Sequence, residues 1–269
     1  MRKILKTLII LQVFTFNSIL FSQDFEVSPV NLEFNVEPGQ TQTIPINLIN
    51  HSSQKNTFTI QLGDFVVNKE GIRINMPQAT TEHSLVNWMS VNPPLIELNP
   101  NEVKQILISI QAPAGDYSTR WAHIFITNTI EQTASIADKA LKTGMLVQGQ
   151  IVVVAKQSPR SNVNYKMKIN TLAEETSAID SISIFSANID NIGDKIANCK
   201  VILLASDLSN AKETKLDEIR FESYPDTNVK IKLHMQKYAL PPGKYALAAI
   251  LDYGDKANLE GTQMIIEIK

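Results

Sequence analysis

APAGDYSTRW, residues 112–121, and LPPGKYALAA, residues 240–249, share one pattern in which Pro, Gly and Tyr are spaced two residues apart. In two-layer β-sandwiches, a tyrosine near the start of a late strand often donates its hydroxyl to nearby backbone. Proline and glycine upstream of it shape the turn that leads into the strand. Tyr117 and Tyr245 are therefore predicted to occupy the same kind of corner in two successive domains.

Outward from these corners, the chain after Phe25 alternates apolar and polar residues with a period of two, and turn signals recur about every 8–12 residues. This pattern predicts strands and not amphipathic helices. The predicted strands lie at 25–36, 41–50, 57–67, 72–76, 86–91, 94–98, 102–110, 117–127, 144–155, 163–172, 178–189, 196–205, 215–221, 228–235, 244–253 and 262–269. The only helical candidate is SIADKAL, residues 135–141.

The segment KQSPRSN, residues 156–162, interrupts the strand pattern with proline and serine and is predicted to be a linker. Its position divides the chain into an N-terminal sandwich at 24–157 and a C-terminal sandwich at 160–269. The predicted fold class is all-β, with two tandem immunoglobulin-like β-sandwich domains.

The first 22 residues have the features of a signal peptide. Three positive charges within Met1–Lys6 precede a largely apolar stretch from Thr7 to Phe21, and Ser22 offers a small residue for cleavage. The apolar stretch is interrupted by polar residues and is short for a membrane-spanning helix. We therefore expect an exported protein without a membrane anchor, located in the periplasm, with the cell surface or the medium as the alternative.

Charge and cysteine usage agree with an exported soluble protein. Removal of the signal peptide leaves 22 Lys and Arg against 27 Asp and Glu, a net charge of about −5, which does not indicate a nucleic-acid partner. Cys199 is the only cysteine and cannot form an internal disulfide. Because it lies in the apolar run NCKVILL, we expect a small buried residue of a strand, not a reactive thiol.

Neither a catalytic constellation nor a metal-ligand pattern is recognisable. His51, His83, His123 and His234 lie far apart in the sequence, and no pair has metal-ligand spacing. The chain has no phosphate-binding glycine loop and no nucleophile elbow. We therefore predict neither an enzyme nor a site for a metal or another cofactor, although strands could still bring scattered carboxylates together.

The two tryptophans have different expected roles. Trp121 lies in an alternating strand directly after the first corner, which favours packing in a core or against a sheet. Trp88 precedes Pro93 and Pro94, and is a candidate for an exposed contact residue.

Residues 88–126 resemble the N-terminal domain of the periplasmic pilus-assembly (PapD-like) chaperones. The similar features are an apolar-x-Leu-x-Pro run, a polar turn, an isoleucine-rich strand and a following alternating strand. The opening residues 27–50 are similar as well. The resemblance implies two sandwiches set at an angle and a chaperone that binds secreted or surface protein subunits of the fimbrial type. It also implies an outer-membrane usher as a further partner.

In that family, as the resemblance implies, the last strand of the first domain completes the unfinished sandwich of a subunit. Sheet addition of this kind draws affinity from main-chain hydrogen bonds and specificity from alternate side chains. Here the strand would be 144–155, which follows a long polar segment, and the subunit-contacting side chains would be Met145, Val147, Ile151 and Val153. The periodicity fits equally well an ordinary last strand that follows a surface loop.

One feature of the family is not matched. Its members hold the carboxyl terminus of the subunit with an Arg on the first strand and a Lys on the last, because a buried carboxylate needs paired charges. Neither Phe25–Val36 nor Gly144–Ala155 contains Lys or Arg, and Asn31 and Gln150 align with the two positions. A carboxylate anchor is therefore not predicted.

Two alternatives remain open at this point. The stretch LPPGKYALAAILDYG also resembles Gram-positive surface proteins that interact with WxL proteins, which usually end in a membrane-spanning helix and a basic tail, whereas this chain ends in TQMIIEIK. Independently of any family, the sandwiches would also suit a non-enzymatic binding or adhesion module of the envelope, which contacts protein or glycan through the loops at the sandwich ends or through an exposed Trp88.

Overall fold

A computed structural model describes residues 24–129, 148–254 and 259–269 of the chain. These residues form two β-sandwiches joined by the segment 158–166, each with its own hydrophobic core. The prediction of an all-β chain with two tandem immunoglobulin-like sandwiches is confirmed. The predicted signal peptide and the helical candidate at 135–141 lie outside the described residues.

The first sandwich contains a sheet with strand order β1-β3-β8-β6 and a sheet with strand order β2-β10-β9-β4-β5, in which β7 also pairs with β4. Alternate residues of these strands fill the core between the two sheets, as their period of two requires. Its strands are β1 (Phe25–Ser28), β2 (Asn31–Phe34), β3 (Thr41–Asn50), β4 (Asn56–Val67), β5 (Arg73–Met76), β6 (Met89–Asn92), β7 (Leu95–Leu98), β8 (Val103–Gln111), β9 (Arg120–Thr129) and β10 (Gln150–Gln157).

The second sandwich packs a sheet of order β11-β12-β15 against a sheet of order β14-β13-β16-β17. Cys199 lies on β13 inside this core, and burial, with the Asp252 carboxylate, raises the pKa of its thiol to about 12. The expectation of an inert buried cysteine is confirmed. The strands are β11 (Met167–Glu175), β12 (Ile182–Asn191), β13 (Ala197–Asp207), β14 (Glu213–Ser223), β15 (Asn228–Gln236), β16 (Gly243–Asp252) and β17 (Glu260–Ile268).

The segment 25–36, predicted as one strand, is divided between the two sheets of the first sandwich. β1 pairs antiparallel with β3, whereas β2 pairs parallel with β10 in the opposite sheet. The change of sheet occurs around Pro29, whose missing N–H is compatible with the end of a ladder. The prediction of a continuous first strand is therefore wrong.

The two Pro-Gly-Tyr corners differ. Tyr245 is buried, and its hydroxyl donates to the carbonyl of Pro241 at 2.9 Å, so the predicted corner is confirmed there. Tyr117 is 54% exposed and precedes β9, which begins only at Arg120. The predicted corner role of Tyr117 and the predicted strand start at residue 117 are wrong, because residues 115–119 form a loop that turns toward the second sandwich.

The start of the predicted strand 86–91 is also corrected. Val86–Trp88 form a 3₁₀ turn, and extended backbone begins only at Met89. Val86 is buried in the turn, and a buried apolar residue is equally compatible with a strand. The apolar pattern alone therefore did not reveal the turn.

The two sandwiches meet at an aromatic cluster. Phe65, Trp121 and Val154 of the first sandwich pack with Tyr224 of the second, and all four are buried. The Trp121 indole N–H donates to the carbonyl of Phe65 at 2.9 Å. The expectation that Trp121 packs in a core is confirmed, and this core lies between the domains.

Polar contacts fix the same junction. The Asp194 carboxylate accepts hydrogen bonds from the Thr119 amide and from the Asn162 side chain, so it ties the linker to both sandwiches. The Lys195 ammonium donates to the carbonyl of Pro159 at 2.9 Å. Gly193 allows the second sandwich to lie close to the linker backbone, because a Cβ there would lie 2.4 Å from the Asn164 carbonyl oxygen.

Candidate functional site: the open edge of β10

The strand β10 is enclosed at one end and open at the other. Val154–Gln157 lie between β2 and β9, whereas Gln150–Val153 pair only with β9. Strand addition through the whole of 144–155 would require one side of that segment to be unpaired, and this is wrong for its last two residues, Val154 and Ala155. Among the described residues, the segment without a strand partner on the β2 side is Gln150–Val153, which we call the β10 edge.

The β10 edge is open because the first strand leaves this sheet. β2 reaches β10 only at the Asn31↔Val154 pair, and the chain that precedes it belongs to β1 in the opposite sheet. Phe25 of β1 lies close to Gly149, where a Cβ would come within 3.1 Å of its ring. The same change of sheet that divides the first strand thus leaves part of β10 without a neighbour.

Backbone hydrogen bonds show which groups face the open side. The Gly149 carbonyl accepts from the Asn128 amide of β9 at 3.0 Å, whereas the Val154 amide donates to the Val30 carbonyl on the other side at 2.9 Å. Because the groups of an antiparallel strand alternate between its two sides, the N–H and C=O groups of Gln150 and Val152 point to the open edge. These groups can pair with an added strand.

The predicted contact side chains fall into three groups. Ile151 is partly buried against the core of the first sandwich, and Val153 is fully buried in it. The side chain of Val153 therefore cannot contact a partner in this structure, and the prediction for it is corrected. Val152, which was not among the predicted contact residues, lies on the other face of the strand and is 37% exposed. Met145 and Val147 lie outside the described residues.

Asn31 and Gln150, aligned with the two anchor positions, are not brought together. Asn31 lies opposite Val154, four residues along β10 from Gln150, or about 13 Å at the rise of a strand. The Gln150 amide instead donates to the Thr127 hydroxyl of the neighbouring strand at 2.9 Å. The structure therefore agrees with the sequence in giving these two residues no joint anchor role.

Lys156 is a cation of this region that sequence reasoning missed. β10 continues to Gln157, so Lys156, one residue past the predicted strand, belongs to it. Its ammonium is 2.5 Å from a Glu222 oxygen and 3.3 Å from a Glu33 oxygen, and its side chain is 11% exposed. Two carboxylates already compensate this charge, so Lys156 joins the two sandwiches and is not free to bind a third carboxylate.

Glu222 is the centre of this interdomain ion cluster. It also binds the Arg73 guanidinium at 2.9 Å and accepts from the Tyr224 hydroxyl at 3.0 Å. Burial by itself would raise the pKa of Glu222, but the hydrogen bonds and charges of Lys156, Tyr224 and Arg73 hold that pKa below its usual range. The carboxylate therefore stays ionised at neutral pH beside two cations.

Trp88, the other predicted contact residue, is partly buried and packs against the first core. The Arg120 guanidinium lies over its ring, 4.5 Å from the centroid. A cation over the ring occupies the face that a sugar or a partner side chain would use. The structure thus offers no free aromatic platform at Trp88.

The remaining candidate chemistry is structural. Within the described ranges, no group of three or more His, Cys, Asp or Glu side chains could hold a metal ion. The His123 ring stacks on the Phe65 ring, with the ring centroids 4.1 Å apart. Burial and the Arg73 charge lower the pKa of His123 to about 4. In the same residues no helix is long and apolar enough to cross a membrane.

Comparison with known proteins gives similarity of fold only. No protein-family model matches this chain, and no curated protein matches it. Among solved structures, a chaperone–tip adhesin complex of CFA/I fimbriae has 11% identity and a TM-score of 0.48, covering 90% of this chain and 98% of that chain. The CsuC–CsuE chaperone–tip subunit complex of Acinetobacter baumannii has 11% identity and a TM-score of 0.43, covering 78% and 90%.

The chaperone DraB of E. coli is also similar, with 11% identity, a TM-score of 0.40 and coverage of 89% of this chain and 98% of that chain. At such identities the likeness concerns the arrangement of strands and not residue roles. The solved structures to which this chain is similar thus include chaperones of the kind that its sequence resembles.

Proposed function

We propose that this chain is a periplasmic chaperone-like protein that binds and caps secreted or surface protein subunits by adding its β10 edge to a sheet of the subunit. The observation that carries the proposal is the open side of Gln150–Val153, where the strand has a partner on one side only. An open edge in a well-formed sheet is normally protected, because it invites pairing with another chain. Here it would be the binding device.

The geometry of the β10 edge suits an extended partner. The N–H and C=O groups of Gln150 and Val152 point outward, so a partner strand can extend the sheet with main-chain hydrogen bonds. Side chains on both faces contribute, since Ile151 is only partly buried and Val152 is exposed. Because the bonds are to backbone, one chaperone can serve several subunits of different sequence.

The junction between the sandwiches supports the same proposal. The Lys156 ammonium is held by Glu222 of the second sandwich, and Val154 is part of the buried aromatic cluster between the domains. The enclosed end of β10 is therefore anchored to both domains. An edge fixed in this way loses little conformational entropy on binding, which favours affinity.

Several parts of the proposal extend beyond the described residues. Export into the periplasm follows from the predicted signal peptide, and contacts by Met145 and Val147 follow from the alternation of 144–155. The identity of the subunit and an outer-membrane usher as a second partner remain predictions from the family resemblance.

The deciding experiment compares two proline variants in a capture of exported proteins on the purified chain. Val152→Pro removes an outward N–H without removing a bond to β9, so we expect recovery of the bound subunit to fall at least about tenfold. Ile265→Pro, on β17 of the second sandwich, is the matched control and should leave recovery unchanged. Trp88 and Trp121 both belong to the first sandwich, so their fluorescence verifies that Val152→Pro is folded.

A second variant tests the side chains. Met145→Asp combined with Val147→Asp places charge where an apolar groove is expected, and we expect a loss of binding of about 2–5 kcal/mol. Equal recovery with folded Val152→Pro and with wild type would refute strand addition through the β10 edge. Loss with Val152→Pro but not with the aspartates would confine the contact to the described strand.

A further inference from the structure

The second sandwich has its own unprotected edge, which the proposed function does not use. β17 (Glu260–Ile268) pairs with β16 along its whole length with no register shift. On its other side no described residue forms a strand pair with it, although β11 of the opposite sheet lies close to β17. A long regular edge strand without bulge or proline is a template for pairing with another chain.

The edge strand β15 is blocked. The Lys230 amide of β15 donates to the Lys69 carbonyl at 2.8 Å, and the His234 amide donates to the Asp217 carboxylate at 2.7 Å. A loop of the first sandwich and a side chain of β14 thus occupy outward amides of β15. Both contacts prevent an added strand from lying along this edge.

The edge strands β14 and β11 are irregular. The pairing of β14 with β13 shifts register between Leu203 and Leu204, and the strand carries the ion pair between exposed Lys215 and partly buried Glu218. The register of β11 shifts between Asn170 and Ala173. Bulges and charges of this kind are the usual means of protecting an edge. β17 is the remaining edge of the second sandwich, and it has neither a bulge nor a charge between Gly261 and Ile266.

The inner face of β17 is largely apolar, and its outer face carries one exposed apolar side chain. Ile265 on the outer face is 71% exposed. On the inner face Met264, Ile266 and Ile268 are only partly buried. They border a groove of about 690 Å³ whose floor includes Phe185. Pairing at this edge would therefore cover apolar surface on both faces of the strand.

The backbone has the required direction. The Leu208 amide donates to the Lys244 carbonyl at 3.0 Å, which directs the even-numbered residues of β16 to β13 and its odd-numbered residues to β17. From the Gly243↔Ile268 register, the even-numbered residues of β17 bond to β16. The N–H and C=O groups of Gly261, Gln263 and Ile265 consequently face the open side.

We propose that β17 is a self-association edge, which pairs antiparallel with β17 of a second copy of this chain and joins two β14-β13-β16-β17 sheets into one continuous sheet. A two-fold axis at Met264 puts Glu260 opposite Ile268. It also puts Gly261 opposite Glu267, so that no like charges meet. The odd-numbered residues then exchange about eight main-chain hydrogen bonds.

The charge pattern favours a second copy over an unrelated strand. The strand carries Glu260 near one end and Glu267 near the other, and an antiparallel copy places each of them opposite an uncharged residue. Closed two-fold symmetry is also the commonest arrangement of homo-oligomers. A contact limited to one edge strand is small for a stable interface, so we expect a weak, concentration-dependent dimer.

The test is sedimentation or light scattering over a concentration series. Here Ile265→Pro is the test variant and Val152→Pro is its control. Wild type and Val152→Pro should show a concentration-dependent dimer, and Ile265→Pro should remain monomeric. If Ile265→Pro proves unfolded by circular dichroism, the double variant Gln263→Lys with Ile265→Lys replaces it, because both side chains are exposed. Leu208→Lys, at a residue that is 55% exposed and outside β17, is the control for that variant.

Cross-linking tests the axis. Met264→Cys places two thiols across a pair that lacks mutual hydrogen bonds, where Cα atoms lie about 4.5 Å apart, within disulfide range. We expect a covalent dimer on oxidation, with Cys199 not participating because its thiol is buried. A wild type that stays monomeric throughout, or a dimer that Ile265→Pro leaves intact, would overturn the proposal. Capture of a different protein by β17 of a monomeric chain would overturn the second copy as its occupant.

Discussion

The C-terminal strands of the two sandwiches, β10 and β17, are both rich in apolar residues but have different surroundings. β10 is covered by β2 over Val154–Gln157, because the first strand of that sandwich changes sheets. In the second sandwich, no described strand pairs with the outer side of β17, although β11 of the opposite sheet lies close to it. The comparison shows that the position of a strand within its sheet, and not its own pattern, decides which of its residues a partner can reach.

The largest expected difference concerns one substitution made on both strands. Val153→Asp buries an unpaired charge in the first core and should lower the free energy of unfolding by about 4 kcal/mol. Ile265→Asp changes an exposed residue of β17 and should alter it by less than about 0.5 kcal/mol. Urea unfolding followed by tryptophan fluorescence for the first variant, and by circular dichroism for the second, measures both. Similar losses would contradict the placement of the two strands.

Acid should weaken the first sandwich in a higher pH range than the second. Burial and Arg73 lower the pKa of His123 from its ordinary 6.5 to about 4 in the folded chain. Above pH 6.5 the imidazole is neutral in both states. Between pH 6.5 and 4 the unfolded chain binds a proton that the folded chain does not, so stability falls by about 2–3 kcal/mol. His123→Gln should flatten this part of the profile, and an unchanged slope in the variant would exclude His123 as its cause.

The second sandwich should respond at lower pH. Hydrogen bonds from Lys215 and Arg220 lower the pKa of Glu218 from its ordinary 4.5 to about 2. The stabilisation is present above pH 4.5 and is lost as the pH falls toward 2. Glu218→Gln should therefore reduce the pH dependence of the second transition only below pH 4.5. A change confined to higher pH would contradict this assignment.

The smallest expected difference concerns the two corners. Tyr245→Phe removes the hydroxyl that donates to the Pro241 carbonyl and should cost about 1 kcal/mol in the second sandwich. Tyr117→Phe changes a residue that is more than half exposed and should cost less than about 0.5 kcal/mol in the first. Paired unfolding curves decide between them. A larger loss for Tyr117→Phe would restore the symmetric interpretation of the two motifs.

The sequence predicted the strands better than their neighbours. The alternation in β8 and β15 gave the correct element and the correct buried face, because a period of two depends only on the strand itself. Val153 shows the limit of this reasoning. Val153 and Ile151 were correctly predicted to lie on the same face of the strand. Whether that face contacts the chain's own core or a partner depends on the opposite sheet.

Lys156 and Tyr117 show the same limit in different ways. The predicted strand ended one residue before Lys156, so the prediction missed that this cation belongs to β10 and to the interdomain ion cluster. The loop 115–119, which contains Tyr117, is fixed by a hydrogen bond from the Thr119 amide to Asp194 of the other sandwich, 75 residues away along the chain. Local pattern holds no information about a partner so distant along the chain.

By itself, the sequence determined that this protein is built from strands, that it contains two sandwiches, and that Cys199 and Trp121 are buried, since each of these follows from apolar periodicity and side-chain type. Only the tertiary structure decided that the first strand changes sheets at Pro29. It also decided that, among the described residues, β10 lacks a second strand partner at Gln150–Val153 and β17 lacks one along its length. The physical reason is that an edge is the absence of a neighbour, and a strand's neighbours are chosen by contacts between distant parts of the chain.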